Sequence, residues 1–244
     1  MAGVHKTILL DQVLKGNALS NVIKPVAQRL AKQKFKQSQM RALSVFEAHP
    51  VTLEIKGGGE APNLSGTLHF PEAAKKGNLY SYIGFPEIAA ANLGGLRTLI
   101  ATWGKVHWRT PKKVKAGKGQ IIFRFRAQVP TLAAFYQITP MPWPEGGQSW
   151  AQKVETGFSN LHFYKYKRGI PGSRSGYAIQ TEKWGAYLPG SYFKPIAYLG
   201  AIVAWWHKDL MRPVNVSITA KGSGGGGMPV RPGEERWRMP VTAG

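Results

Sequence analysis

Residues able to do acid–base or nucleophilic chemistry are sparse in this chain and poorly spaced for it. Of its 244 residues, 12 are Asp or Glu. Only Asp11 and Asp209 are aspartates, and the one close carboxylate pair is Glu234 beside Glu235. Glycosidases and two-metal nucleases need carboxylates gathered within a few bond lengths of the reacting atoms, and no i, i+2 or i, i+4 acidic pair supplies that here. The histidines, at 5, 49, 69, 107, 162 and 207, never fall at the spacing with which a helix or hairpin offers two ligands to one metal. Without cysteine there are no disulfides and no thiolate sites, as suits a reducing compartment.

The glycine patterns do no better. Gly222, Gly224 and Gly227 satisfy G-x-G-x-x-G, but Met228-Pro229 follows where a phosphate-cradling helix would have to open. "AGKGQ" lacks the spacing and hydroxyl of a Walker loop, and "GSRSG" has Arg174 where a nucleophile elbow needs serine. The expectation is a protein that is not an enzyme, with no catalytic residue, no cofactor and no metal.

What the chain has in excess is positive charge. Thirty-three Lys and Arg against those 12 acids give +21, a self-repulsion that an anionic partner would relieve. Between Glu87 and Glu145 there is no acidic residue, yet nine cations fall there, from Arg97 to Arg126. "KVHWRTPKKVKAGKGQIIFRFRAQVP" reads as two strands joined by a lysine-rich turn, with Val106 and Trp108 as cross-strand partners. Phe123, Phe125 and Ala127 alternate with Arg124, Arg126 and Gln128. This hairpin, over 105–130, offers Lys112, Lys113, Lys115, Lys118, Arg124 and Arg126 to nucleic acid or to an acidic protein. Lysines that merely blunt a sheet edge are the competing explanation.

The remaining elements must position that charge. Asn21 to Glu47 reads as a basic amphipathic helix, with Ile23, Ala27, Leu30 and Ala31 and then Met40, Leu43 and Phe46 on its apolar side. Pro25 is placed in its first turn, and His49-Pro50 closes it. "VTLEIK" alternates like a half-buried strand, and Leu79 to Phe85 reads as a second. Ala89, Leu93, Leu96, Ile100 and Trp103 mark a helix covering the sheet. Ser149 and Gln152 form a capping box for a helix carrying Trp150, Val154 and Phe158. In "NLHFYKYKRG" aromatics alternate with cations, suiting either base stacking or ordinary strands. Val214, Val216 and Ile218 form a last short strand.

From these elements the expected fold class is α+β: a small mixed or antiparallel sheet with packed helices, a long basic β-hairpin and an extended C-terminal arm. The divisions are a helical segment over 1–48, a body over 49–220 and a tail over 221–244. The tail has no helix or strand periodicity and is expected to be held by a neighbouring subunit. Trp205 and Trp206, with Arg231, Trp237 and Arg238 of the tail, are assigned to a subunit interface, the tryptophans being equally suited to a core. The longest uncharged stretch, "PIAYLGAIVAWW", is too short to span a bilayer and the start of the chain lacks a cleavage signal, so a soluble protein with no membrane partner is expected.

The order "HPVTLEIKGG", "NLSGTL", "GNLYSYIGF", "PWPEGGQSWAQKVETGFSNL" and "SRSGYAIQ", over about His49 to Gln180, resembles a group of virion structural proteins of tailed bacteriophages, of the neck or tail-completion type. The resemblance implies a ring-forming component of the head-to-tail junction, built around the channel through which DNA leaves the capsid. Its implied partners are copies of itself, other neck or tail rings and, non-specifically, genomic DNA. Its implied location is the virion, assembled in the host cytoplasm. From the residues alone, a sequence-independent nucleic-acid-binding protein that uses the hairpin and the 24–41 helix stays open beside it.

Overall fold

The basic helix expected from Asn21 runs from Asn17 to Ala48 (α1) in the computed structural model, which describes residues 17–68, 77–107, 125–143, 147–159, 163–166, 168–181 and 192–212. At 1.5 Å per residue α1 is about 48 Å long. Pro25 therefore lies inside it and not in its first turn. The buried stripe is Ala31, Phe35, Ser38, Gln39, Ala42 and Phe46, while Met40, expected on that stripe, is half exposed. Gln39 is accommodated because its Nε2 donates to the Trp103 carbonyl at 3.0 Å.

The two expected strands flanking the first glycine clusters are helices. Pro50–Lys56 is α2, opened by His49, whose ring accepts a hydrogen bond from the Val51 amide, with Pro50 in the first turn. Val51, Thr52, Glu54 and Ile55 are buried and Leu53 is exposed, a helical pattern hidden by the accident that polar Thr52 and Glu54 also go inside. Leu79–Ile83 is α3, bracketed by Asn78 as N-cap and by Gly84 in the left-handed region at φ 79°. All five of its residues are buried, so a two-residue period could not have been real.

The expected helix over Ala89 to Trp103 is broken. A 3₁₀ turn at Ile88–Ala91 ends at Asn92, whose φ of 53° redirects the chain into α4, Leu93–Thr102. Leu93, Leu96 and Ile100 are buried as the spacing predicts, but among the described residues α4 packs mainly on α1.

Among the described residues the strands form three two-stranded antiparallel ladders and nothing larger, so the body is helix-rich and its β content is minor. The hairpin base is one: β1, Lys105–His107, pairs with β2, Arg126–Gln128, with Val106 opposite Ala127. Arg126 and Gln128 are exposed and Ala127 is turned inward, as the alternation requires. Helices α5, Leu132–Gln137, and α6, Trp150–Thr156, follow; α6 stops before Phe158, which instead opens β3, Phe158–Ser159. Ser149 is the N-cap expected of it, its Oγ accepting from the Gln152 amide at 3.1 Å. The aromatic and cationic stretch is β4, Phe163–Tyr166, paired with β5, Ala178–Thr181, while β6, Tyr192–Phe193, pairs with β3.

The chain's last described helix is α7, Leu199–Met211, which packs along α1. Phe46, Val51, Ile55, Leu79, Phe85, Leu96, Ile100, Phe135, Trp150, Tyr198 and Trp206 belong to one hydrophobic core drawn from α1 through α7. Removing each such side chain from water contributes roughly 1.5–3 kcal/mol, which is what holds so many short elements together.

Candidate anion-facing surface

Five of the described carboxylates are bonded within the chain. Glu54 is fully buried; its Oε1 accepts from the Leu79 amide at 2.6 Å and its Oε2 from the Ser65 amide at 2.7 Å. Burial pushes its carboxyl above the usual carboxylate range, against the opposing pull of those hydrogen bonds. Glu155 takes the Tyr136 hydroxyl on one oxygen and, on the other, the amides of Tyr198 at 3.1 Å and Gly200 at 2.6 Å, a carboxylate seated at the N-terminus of α7. Glu47 is gripped by both Nε and Nη2 of Arg97, which lowers its pKa. Glu60 meets Arg168 at 2.8 Å, and Asp209 is ringed by cations. Glu87 lies exposed.

The turns after α2, at Asn78 and at Ser175 meet in one region. Asn78 Nδ2 donates to the carbonyls of Gly58 and Ala61, and its Oδ1 accepts from the Ser81 amide and hydroxyl. Ser175 Oγ donates to the Ser81 carbonyl, and Ser173 Oγ to that of Ala178. Gly59 lies so close to Tyr177 that a Cβ there would stand 2.0 Å from the ring. These polar groups spend most of their hydrogen bonds on backbone, so they fasten loops.

His49 shows the same economy. Its Nδ1 accepts from the Val51 amide at 3.2 Å, which places the proton on Nε2, and Nε2–H donates to the Ala197 carbonyl at 3.1 Å. Burial, outweighing that hydrogen bond and the nearby Glu155, keeps its pKa below the ordinary imidazole value. Among the described residues no group of His, Asp and Glu is arranged to hold a metal, and no helix is long and apolar enough to cross a membrane.

Cations face outward. On α1, Arg29, Lys32 and Lys36 are exposed at i, i+3 and i+7, and with Pro25, Gln28 and Gln33 they line a shallow groove of about 420 Å³. At the hairpin base Arg126 stands at the rim of a cleft of about 580 Å³ shared with Gln128, Thr131 and His207 of α7. Nothing in the spacing of the chain joins His207 to Arg126; the packing of α7 beside β2 does so.

Of the residues assigned to an anionic partner, Arg126 is thus placed on the surface, while Lys112, Lys113, Lys115, Lys118 and Arg124 lie outside the described residues, as do Arg231, Trp237 and Arg238 and the strand expected at Val214 to Ile218. Trp206 is fully buried, 6.1 Å from Phe35 between ring centroids, so its indole serves this chain's own core and is not offered to a neighbouring subunit. Trp205 is partly buried against the same core. No family model, curated protein or solved structure matches the chain.

Proposed function

We propose that this chain is a structural component of a tailed-phage virion, a ring-forming neck or tail-completion protein of the head-to-tail junction, whose basic faces work against DNA or an acidic neighbouring ring. The observation that carries the polyanion half of this reading is the division of charge. Five of the six described carboxylates are taken up by partners within the chain, while Lys32 and Lys36 of α1 and Arg126 at the hairpin base stand exposed. The virion half rests on the motif order that resembles the phage group. The meeting of Gly59, Asn78, Ser81 and Ser175 at one polar junction supports treating those motifs as the signature of a fold and not of a reaction.

A sequence-independent nucleic-acid-binding protein is the second reading, favoured by the same exposed cations. Titrating the full chain with duplex DNA while recording the mass of the complex separates the two. A closed oligomer of fixed copy number is expected for the ring component. Single chains coating the duplex in proportion to its length would transfer support to the second reading.

A further inference from the structure

Asp209, on the last turn of α7, is 1% exposed, yet three cations converge on its carboxylate. Arg41 Nη2 lies 3.1 Å from Oδ2, while Lys34 Nζ at 4.0 Å and Arg212 Nη1 at 3.8 Å approach Oδ1. Lys34, Ser38 and Arg41 sit at i, i+4 and i+7 on the side of α1 that meets α7, around the corner from the outward stripe of Arg29, Lys32 and Lys36. One cation is enough to neutralise a buried carboxylate; three leave a local surplus of two positive charges held close together in mutual repulsion.

The surplus is also directed. The Arg41 and Arg212 side chains are 48% and 64% exposed, so the guanidinium edges that do not face Asp209 open to solvent at the α1–α7 seam. Neither oxygen of Asp209 has a hydrogen bond of good geometry, and Ser38 Oγ, buried on the same side of α1, has no partner. The pair of helices therefore holds two planar forks from behind without saturating them. Such forks match a tetrahedral oxyanion; free phosphate, doubly charged, offsets the surplus in one group, whereas a backbone phosphodiester, singly charged like a carboxylate, offsets half of it.

We propose that Arg41 and Arg212, backed by Asp209 and assisted by Lys34, form a seat for one phosphate group, taken from free phosphate or from the backbone of a nucleic acid. Only the second source rests on the polyanion reading of the molecule. A chain that fails to assemble but binds phosphate here would sink the ring and keep the seat, and the reverse outcome would do the opposite.

The test is calorimetric titration of the full chain with inorganic phosphate against sodium chloride at matched ionic strength. Saturable binding of one phosphate per chain is expected. It should weaken by about tenfold in Arg212→Ala, which removes an exposed side chain, and in Arg41→Lys, which keeps the charge facing Asp209 and loses the fork. A short duplex that displaces the phosphate identifies the source as nucleic acid, and one that does not identifies free phosphate. No saturable binding, or equal binding by both variants and the parent chain, would overturn the proposal.

Discussion

Two ionisable residues, buried Glu54 and half-buried His49, have opposite relations to pH because burial acts on opposite charge states. In Glu54→Gln the amide places a donor against one of two backbone donors, Ser65 or Leu79, leaving that amide unsatisfied. The expected loss is roughly 1–3 kcal/mol at neutral pH, read by urea unfolding. Because the folded state keeps the Glu54 proton to a higher pH than the unfolded chain, its contribution falls as pH rises from the ordinary carboxylate value through the raised one. The advantage of the parent over Glu54→Gln should thus be larger at pH 4.5 than at pH 7, a comparison at about the carboxyl's unperturbed value and well above it. His49 runs the other way. Its folded pKa is depressed, so the unfolded chain takes up the proton first and stability drops as pH falls below about 6.5. Unfolding midpoints of the parent and His49→Asn should converge over that fall; parallel curves would show that the ring is not held neutral.

At the level of elements, what could be read from the chain depended on whether local bonding and burial agreed. The existence of the α1 helix, the Ser149 cap and a hairpin with Val106 across from the second strand were legible because local pattern and burial agree there, while the start of α1 and the exposure of Met40 were not. "VTLEIK" was misread because a buried carboxylate breaks the link between polarity and exposure, and its partners, Ser65 and Leu79, lie 11 and 25 residues away. "LYSYI" was misread because an entirely buried five-residue helix has no polar face from which to take a period. Its Asn78 and Gly84 brackets were the available signal. The junction of these elements makes a sharp prediction. Gly59→Ala must push Tyr177, and with it the turn leading into β5, off the end of α2. A loss of about 1–3 kcal/mol is expected, whereas Gly94→Ala, where an added Cβ meets nothing within 4 Å, should be neutral or stabilising in the same assay. Equal effects would mean that the contact with Tyr177 does not constrain the fold.

For the molecule as a whole, net charge was legible and its destination only in part. The sequence placed the cations in a helix and a hairpin; it did not show that Glu54 and Asp209 are buried, nor that α7 brings Asp209 against α1 and His207 beside Arg126, because those contacts join residues far apart in the chain. The outward face of α1 is expected to touch phosphates. Lys32→Ala with Lys36→Ala should lower the slope of log affinity for duplex DNA against log salt by about 2 if each lysine meets one phosphate. An unchanged slope would remove α1 from the contact and leave the hairpin alone.

A ring component differs from every solitary binder in how many copies it needs. Native mass spectrometry of the full chain, alone and with a short duplex, over a range of protein concentrations, is the most direct measurement. The expected result is a single closed oligomer whose copy number is the same with and without DNA. A chain that stays monomeric throughout, and whose count on DNA grows with duplex length, would contradict the assignment to a virion ring.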